Sequence, residues 1–294
     1  MSKITLPKKA PNAILTGDWH IRETKPLCRV DDFEKTLWRK IRFISKVQKK
    51  YGCPVLHSGD LFHHWKPSPY LIAKTIKNLP KQFYSVYGNH DLPDNTMEQK
   101  HKSGLYAVAS GKGLTEIEYG NWDDLDKEPT YLDIGGRKVL VMHIYVTNDK
   151  KFWNTEDQKA HLLFKKYPEA DLILTGDNHI PFVLKTKTGR LLVNPGPITR
   201  QDASQVDYKP RIYLYYADEN KVIHLPIPID KDAVTDEHIR SKQLKDAKSE
   251  AFVNSLNTEW SGEASFETNL KKFEIANSDK VPKEVFNIIY KALE

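Results

Sequence analysis

The sequence predicts an α/β protein built around a mainly parallel β-sheet. Short apolar, β-prone runs alternate with stretches of helical periodicity between residues 13 and 88, in the order strand, helix, strand, helix, strand. Each of these strands ends near a glycine that is followed by polar side chains of the kinds that bind ligands. Because ligands bind at the carboxyl ends of strands in open α/β sheets, we expect the functional site at this edge.

The composition fits one large domain with a small appendage. The 294 residues are 39% hydrophobic and 29% charged, which is enough for a sizeable core. We expect a catalytic domain over residues 1–230 and a small C-terminal capping or partner-binding region over residues 231–294. The second region is polar and mostly helical, with helices predicted over residues 235–256 and 282–293.

The remaining global features concern location and partners. The sequence has no apolar run of about 18 residues and its N-terminus lacks the apolar core of a signal peptide. With only two cysteines as well, we expect a cytoplasmic protein that does not enter a membrane. The net charge of +6 suits a polyanionic partner, but many basic proteins bind no nucleic acid.

The first strand covers residues 13–16 and is followed by Asp18 and His20. These two side chains lie two positions apart, so they point the same way in an extended segment. A helix is predicted over residues 32–50, with Asp31 or Asp32 as its N-cap and a glycine at its end.

The second strand, residues 55–58, breaks at Gly59 and is followed at once by Asp60. A glycine and an aspartate also begin many ordinary turns, so this pair gains meaning only because the pattern recurs. A second helix begins at Ser68, which serves as N-cap before a first-turn proline.

The third strand, residues 83–87, leads into Asn89, His90 and Asp91. The long polar connection over residues 93–126 contains no element that we assign, and we interpret it as an insertion that faces the substrate.

The second half of the chain repeats the pattern. A hairpin over residues 131–142 turns at two glycines and places His143 at a strand end. A capping box at residues 155–158 begins a helix that ends near Tyr167. A buried strand over residues 171–175 then leads to a further group of polar side chains, and β-rich pairs follow over residues 182–194 and 212–225.

Five strand ends therefore each carry Asp, Asn or His side chains, and ordinary polar loop residues do not explain that repetition. The complete set is Asp18, His20, Asp60, Asn89, His90, Asp91, His143, Asp177 and His179. Carboxylate, imidazole and amide ligands together suit Mn²⁺, Fe²⁺ or Zn²⁺ better than Ca²⁺. Their number suits two ions, with one carboxylate that bridges them.

Such a site indicates cleavage of phosphate esters. Two metal ions about 4 Å apart can hold the phosphate, lower the pKa of a bound water and neutralise developing charge. A histidine that is not a ligand can protonate the leaving oxygen. His90 fits this role, because the carboxylate of Asp91 can orient its ring and raise its pKa.

The five motifs resemble those of the calcineurin-like metallophosphoesterases, in the family's order and over residues from about 13 to 200. The resemblance implies a four-layer α/β/β/α sandwich with a small helical C-terminal appendage, and His90 as the acid or transition-state stabiliser. The implied ligands are Asp18, His20 and His179 for the first metal, Asp60 for both metals, and Asn89, His143 and Asp177 for the second metal.

Position 177 departs from the family, which usually has histidine there. Asp177 can still bind a hard divalent ion, and the third carboxylate favours Mn²⁺ or Mg²⁺ over Zn²⁺. A weak or empty second metal position is the competing interpretation. We expect two divalent ions, with Mn²⁺ as the best candidate and Mg²⁺, Fe²⁺ or Zn²⁺ as the others.

Within this superfamily, residues 59–68 resemble the Mre11/SbcD branch of DNA nucleases, in which a Gly-Asp-Leu-Phe run precedes a helix start rich in Pro and Ser. Residues 194–200 are similar to that branch's turn after the last metal motif. The resemblance implies that His63 is an active-site histidine that positions a DNA strand, and an ordinary loop histidine is the alternative. Candidate DNA contacts, with plain surface residues as the alternative, are Trp65, Lys66, Arg200 and Lys209.

The function that we expect from this resemblance is a Mn²⁺-dependent DNA nuclease, exonuclease or endonuclease, of the DNA repair or recombination type. The branch implies a homodimer and a coiled-coil ATPase partner of the SbcC/Rad50 type, although the tail after Asp230 is short for such a partner. Two alternatives stay open. One is a phosphodiesterase or phosphatase that acts on a small nucleotide or a phosphoprotein. The other is a non-catalytic binding module, which only Asp177 motivates.

Overall fold

The computed structural model describes residues 4–121, 126–148, 159–237, 239–240, 242–243, 245–249 and 266–291. The chain divides into two compact units, Met1–Thr235 and Asp236–Glu294. This division lies close to the boundary predicted at Asp230. Within the described ranges, every helix is too short or too polar to cross a membrane.

The first unit contains two β-sheets. The six-stranded sheet has the order β11-β10-β1-β2-β3-β4 and the five-stranded sheet has the order β5-β6-β7-β9-β8. The strands of the first sheet are β1 (Ala13–Thr16), β2 (Val55–His57), β3 (Phe83–Ser85), β4 (Thr115–Glu116), β10 (Arg211–Tyr216) and β11 (Lys221–Pro226). Those of the second are β5 (Leu132–Asp133), β6 (Lys138–Met142), β7 (Leu172–Thr175), β8 (Phe182–Lys185) and β9 (Leu191–Asn194). The strands that lead into the predicted site run parallel in each sheet.

The named helices are α1 (Phe33–Tyr51), α2 (Pro69–Asn78), α3 (Gly104–Ser110), α4 (Ala160–Lys166), α5 (Phe266–Ala276) and α6 (Lys283–Lys291). The predicted caps are confirmed. Asp32 accepts a hydrogen bond from Lys35 N at 3.1 Å, and Gly52 ends α1 in the left-handed region at φ 68°. Ser68 likewise accepts from Leu71 N at the start of α2. Both caps satisfy backbone groups that a helix end leaves unpaired.

Three hydrophobic clusters separate four layers. Ile14 of β1 and Leu37 of α1 belong to the cluster between the first sheet and its helices. Leu15, the next residue of β1, packs with Val141 of β6 between the two sheets, as the alternation of side chains along a strand requires. Phe164 of α4 packs on the outer face of the second sheet. The predicted α/β/β/α sandwich is therefore confirmed.

The connection at residues 93–126 differs from our interpretation. It contains α3 and a short parallel edge strand, β4, and Leu105 and Val108 of α3 are buried in the first core. The described part of this segment therefore completes a layer, and none of its described residues lines the cleft beside the predicted ligands. The capping box at residues 155–158 lies outside the described residues, as do the last residues of both C-terminal helices that we predicted.

Candidate metal centre

The loops that follow β1 and β2 run side by side and bring the first two motifs together. Asp18 N donates to Gly59 O at 3.1 Å, and His20 N donates to Asp60 O at 2.9 Å. Two parallel strands thus continue their pairing beyond the sheet. Their ligand side chains are held by backbone hydrogen bonds.

Four of the predicted ligands have left-handed backbone conformations that residues other than glycine rarely adopt. Their φ angles are 50° at Asp18, 44° at His20, 57° at Asp60 and 68° at Asp177. Strain of this kind persists only where the surrounding structure enforces it, and it concentrates at functional sites. The strained residues lie in the same loops as the sequence motifs.

The glycines that precede the ligands are required by close packing. A Cβ atom on Gly88 would lie 2.0 Å from Asp60 Oδ1, and one on Gly59 would lie 2.5 Å from His143 Nδ1. The motif glycines therefore let one strand end approach the ligand of another.

The first group of ligand atoms comes from Asp18, His20 and His179, whose donors lie within 4.8 Å of one another. The Nε2 atoms of His20 and His179 are 3.1 Å apart. Two nitrogens bound to one ion by bonds of about 2.1 Å are separated by about 3 Å, so the spacing fits a shared metal. Asp18 Oδ2 and His20 Nδ1 are buried and have no hydrogen-bond partner among the described residues.

The second group contains Asp60, Asn89 and His143. His143 Nε2 lies 3.0 Å from Asn89 Oδ1 and 3.5 Å from Asp60 Oδ1. The ring's Nδ1 donates to the backbone carbonyl of Ser58 at 2.7 Å, which leaves the Nε2 lone pair for a ligand. Asp60 directs its other oxygen, Oδ2, to His20 Nε2 at 3.5 Å. It therefore lies between the two groups, in the position predicted for a bridge.

The electrostatics of the site favour the binding of cations. Burial raises the pKa of Asp18 to about 7 and holds the pKa of Asp60 well above its usual range. Burial also keeps the pKa of His20 well below its usual value, so its ring is neutral. Buried carboxylates are costly without a counter-charge, and divalent ions supply that charge while neutral imidazoles supply lone pairs. The donor set fits two divalent metal ions.

Asp177 differs from the other predicted ligands in its geometry. Its backbone N–H donates to Asp18 Oδ1 at 3.0 Å, so the residue does belong to the site. Its carboxylate, however, joins none of the groups of three close donor atoms found among the described residues. Its role as a ligand of the second metal stays a prediction.

The structure corrects the role that we predicted for Asp91. This buried carboxylate accepts hydrogen bonds from the backbone N–H groups of Leu61, Phe62 and Gly88 at 2.9–3.1 Å. It therefore fastens the third strand end to the loop after β2. The His90 ring is oriented instead by the backbone carbonyl of His63, to which Nδ1 donates at 2.7 Å.

His63 lies inside the site, as its motif indicates. Its ring stacks on the His90 ring, with centroids 5.4 Å apart and an interplanar angle of 27°. Partial burial lowers the pKa of His63 to about 4, so the ring is neutral at pH 7. The residue contributes to the centre through both its ring and its carbonyl.

A cleft of about 600 Å³ opens beside the metal centre. Its lining includes His20, His63, His90 and His179 together with residues that we did not predict, namely Arg22, Ile180, Pro181, Pro197, Thr199, Gln201, Asp202, Ser204, Gln205 and Tyr208. Arg22 lies two positions beyond His20. The same spacing argument that pairs Asp18 with His20 would have identified Arg22 as a candidate site residue. The other residues follow the motif with His179 after β7 or lie in and after the turn at residues 194–200 that follows β9.

The predicted DNA contacts lie outside this lining. Arg200 is buried, and its guanidinium donates to the backbone carbonyls of Val206 and Asp230, so it holds the fold and does not meet a phosphate. Its neighbours Thr199 and Gln201 face the cleft instead. The other three candidates, Trp65, Lys66 and Lys209, do not line the cleft, and their contact with DNA stays a prediction.

Comparisons with solved structures return distant similarities. An archaeal phosphodiesterase is 15% identical, with a TM-score of 0.45 over 73% of this chain and 99% of that one. A phosphoesterase-like protein from Streptococcus pneumoniae is 18% identical, with a TM-score of 0.35 over 68% of this chain and 79% of that one. Vacuolar Protein Sorting 29 from Cryptosporidium parvum is 19% identical, with a TM-score of 0.37 over 74% of this chain and 97% of that one.

A comparison with curated proteins found no match. A comparison with protein families matches residues 13–212 to the calcineurin-like phosphoesterase superfamily domain. This match covers more than half of the chain and includes every predicted metal ligand.

Proposed function

The chain belongs to the calcineurin-like phosphoesterase superfamily, and from this premise we propose that it is a metal-dependent phosphodiesterase for nucleotide-sized phosphodiesters. The observation that carries the proposal is the position of Asp60. Its two carboxylate oxygens face two histidines, His20 and His143, that belong to separate groups of donors. That arrangement suits a pair of ions that act on one phosphate.

Each residue would have a defined part in the reaction. Asp18, His20 and His179 would hold one ion, Asn89 and His143 the other, and Asp60 both. When bound, the two ions would position the phosphate, activate a water and offset developing charge. Since His90 Nδ1 donates to the His63 carbonyl, Nε2 is the atom that would pass a proton to the leaving oxygen.

The charge of the cleft favours a diester over a monoester. Arg22 is the only Lys or Arg among the described lining residues, and the lining also contains one carboxylate, that of Asp202. A phosphodiester carries one negative charge, whereas a phosphate monoester carries nearly two at neutral pH. The volume of about 600 Å³ lies within the range of small-molecule sites, so one nucleotide unit fits.

A Mn²⁺-dependent DNA nuclease is the second candidate, in which the phosphodiester belongs to a DNA strand. The motif after Asp60 that resembles the Mre11/SbcD branch supports it, because His63 from this motif stacks on His90 at the cleft. A homodimer and an ATPase partner of the SbcC/Rad50 type belong to this candidate and are untested.

The proposed acid role of His90 is tested with two substrates and two variants. His90→Ala should lower kcat on a dinucleotide by about 10²-fold or more, because the alkoxide leaving group needs a proton. On bis(p-nitrophenyl) phosphate the loss should be much smaller, since nitrophenolate leaves without one. His64→Ala is the matched control, because His64 is exposed, does not line the cleft and should leave both rates unchanged.

Assays with Mn²⁺, Mg²⁺, Fe²⁺ and Zn²⁺ should show hydrolysis that chelation abolishes. Absence of hydrolysis with all four ions would refute the proposal and favour the binding module. Equal losses of kcat on both substrates in His90→Ala would show that His90 is not the general acid. A much higher kcat/KM on linear DNA than on the dinucleotide would select the nuclease.

A further inference from the structure

Helix α1 carries a continuous row of basic side chains on one face. The spacing of four, three, four and three residues places them together on the helix surface. The row, which we call the basic ridge, consists of Lys35, Arg39, Arg42, Lys46 and Lys49. All of these are exposed except Arg39, which is half-buried.

The charge of α1 is unusual for its length. Its 19 residues include seven Lys and Arg side chains and one carboxylate, so its formal charge of +6 equals that of the whole chain. The single carboxylate of α1, Glu34, pairs with Lys74 of α2, and within the ridge Arg39 pairs with Asp230. Arg42 and Lys46 have no ion-pair partner within the described part of the chain.

A hollow of about 190 Å³ lies in the middle of the ridge. Its lining consists of Arg39, Lys40, Arg42, Phe43, Lys46 and Pro228. Arg39 pairs with Asp230 through one terminal nitrogen, while its buried Nε has no hydrogen-bond partner among the described residues. A buried donor without an acceptor, beside two free cations, indicates a site for an anion.

Lys40 connects the hollow to the backbone behind the cleft wall. Lys40 extends from the hollow and donates through Nζ to the carbonyl of Ile198 at 2.8 Å. The residues on either side of Ile198, Pro197 and Thr199, line the cleft. Because α1 connects the parallel strands β1 and β2, it runs from the edge of the sheet that carries the ligands to the opposite edge, and the ridge follows that direction.

The dimensions of the ridge fit a nucleic-acid strand. The fourteen helical rises from Lys35 to Lys49 span about 21 Å, which is about the length occupied by six phosphates of one strand at about 3.4 Å each. Arg side chains bind phosphate in a bidentate manner, and an aromatic ring such as Phe43 can stack on a base.

We propose that the basic ridge binds the sugar-phosphate backbone of a nucleic-acid strand whose scissile phosphodiester lies in the cleft. This inference rests on the proposed phosphodiester chemistry and selects the second candidate, in which the phosphodiester belongs to a nucleic-acid strand. It also replaces Arg200, which is buried, with a surface that the sequence motifs did not mark.

The test is fluorescence anisotropy of the full chain with a labelled oligothymidylate in EDTA, so that the strand stays intact. Arg42→Gln/Lys46→Gln should weaken binding by about tenfold at low salt and reduce the slope of log K against log salt by about 1.4. The matched control is Lys185→Gln/Lys187→Gln, which removes the same charge from exposed positions around the edge strand β8. It should change binding by less than about twofold.

Equal effects of the two double variants would overturn the proposal, because binding would then follow net charge alone. Displacement of the strand by polyglutamate at the same concentration of charge would also overturn it, in favour of an acidic protein partner. Hydrolysis of bis(p-nitrophenyl) phosphate by the metal-loaded parent is measured separately. Its absence would refute the phosphodiesterase, whereas hydrolysis without selective loss of strand binding would refute only the ridge.

Discussion

At the scale of single residues, Asp60 connects all parts of the centre. Its carbonyl accepts from His20 N, and its Oδ1 accepts from His90 N at 3.0 Å. Its carboxylate oxygens face one histidine from each ligand group. Few substitutions at or near this carboxylate can be neutral, because its contacts come from three other strand ends.

Gly88→Ala tests this packing without removing any ligand. A Cβ atom at Gly88 would meet Asp60 Oδ1 at 2.0 Å, so the bridging carboxylate must move. We expect loss of at least one bound ion per chain, measured by elemental analysis after Mn²⁺ loading, together with a fall in phosphodiester hydrolysis. Gly136→Asn is the control, because that position has open space and asparagine tolerates its left-handed backbone. Full metal content in Gly88→Ala would show that the packing is not required.

At the scale of elements, the site is made of loops that hold one another. The loops after β1 and β2 are paired by backbone hydrogen bonds, and Asp91 fastens the segment after β3 to the second of them. The His63 carbonyl, which orients His90, lies in that same loop. The position of His90 therefore depends on Asp91 indirectly, through the loop that both contact.

Asp91→Ala should lower the free energy of unfolding by about 3 kcal/mol, because it leaves buried N–H groups without their acceptor. Denaturant titration measures this loss. Asp91→Asn keeps one acceptor oxygen and should lose less, and Glu98→Ala, at an exposed position of the same segment, should lose almost nothing. A loss for Asp91→Ala that matches that of Glu98→Ala would refute the fastening role.

At the scale of the whole molecule, the two sheets pack face to face with the carboxyl ends of their parallel strands at one edge. This arrangement brings the motifs at residues 18–91 against those at residues 143–179. All proposed ligands and all residues that line the cleft belong to the unit Met1–Thr235.

A chain that ends at Thr235 should therefore fold and hydrolyse bis(p-nitrophenyl) phosphate with kcat close to that of the parent. Circular dichroism and metal content report on folding, and the rate reports on the site. A folded, metal-loaded fragment with a much lower rate would show that residues 236–294 contribute to catalysis.

The sequence by itself determined the strands other than β4, the caps of α1 and α2, and the kinds of ligand at each strand end. The strands and the caps at Asp32 and Gly52 depend on local propensity and spacing. The ligands depend on short motifs whose residues are close together in the sequence. The residue types alone also led to the α/β class. The four layers came from the family resemblance, and the three hydrophobic clusters confirmed them.

Only the tertiary structure decided where individual side chains point. It showed that Asp91 binds backbone N–H groups, that Arg200 is buried while its neighbours face the cleft, and that Glu34 of α1 pairs with Lys74 and not with the basic ridge. These outcomes depend on contacts between segments far apart in the chain, such as Lys40 with Ile198 at a separation of 158 residues. Local sequence does not encode such contacts, because they arise only when the layers pack.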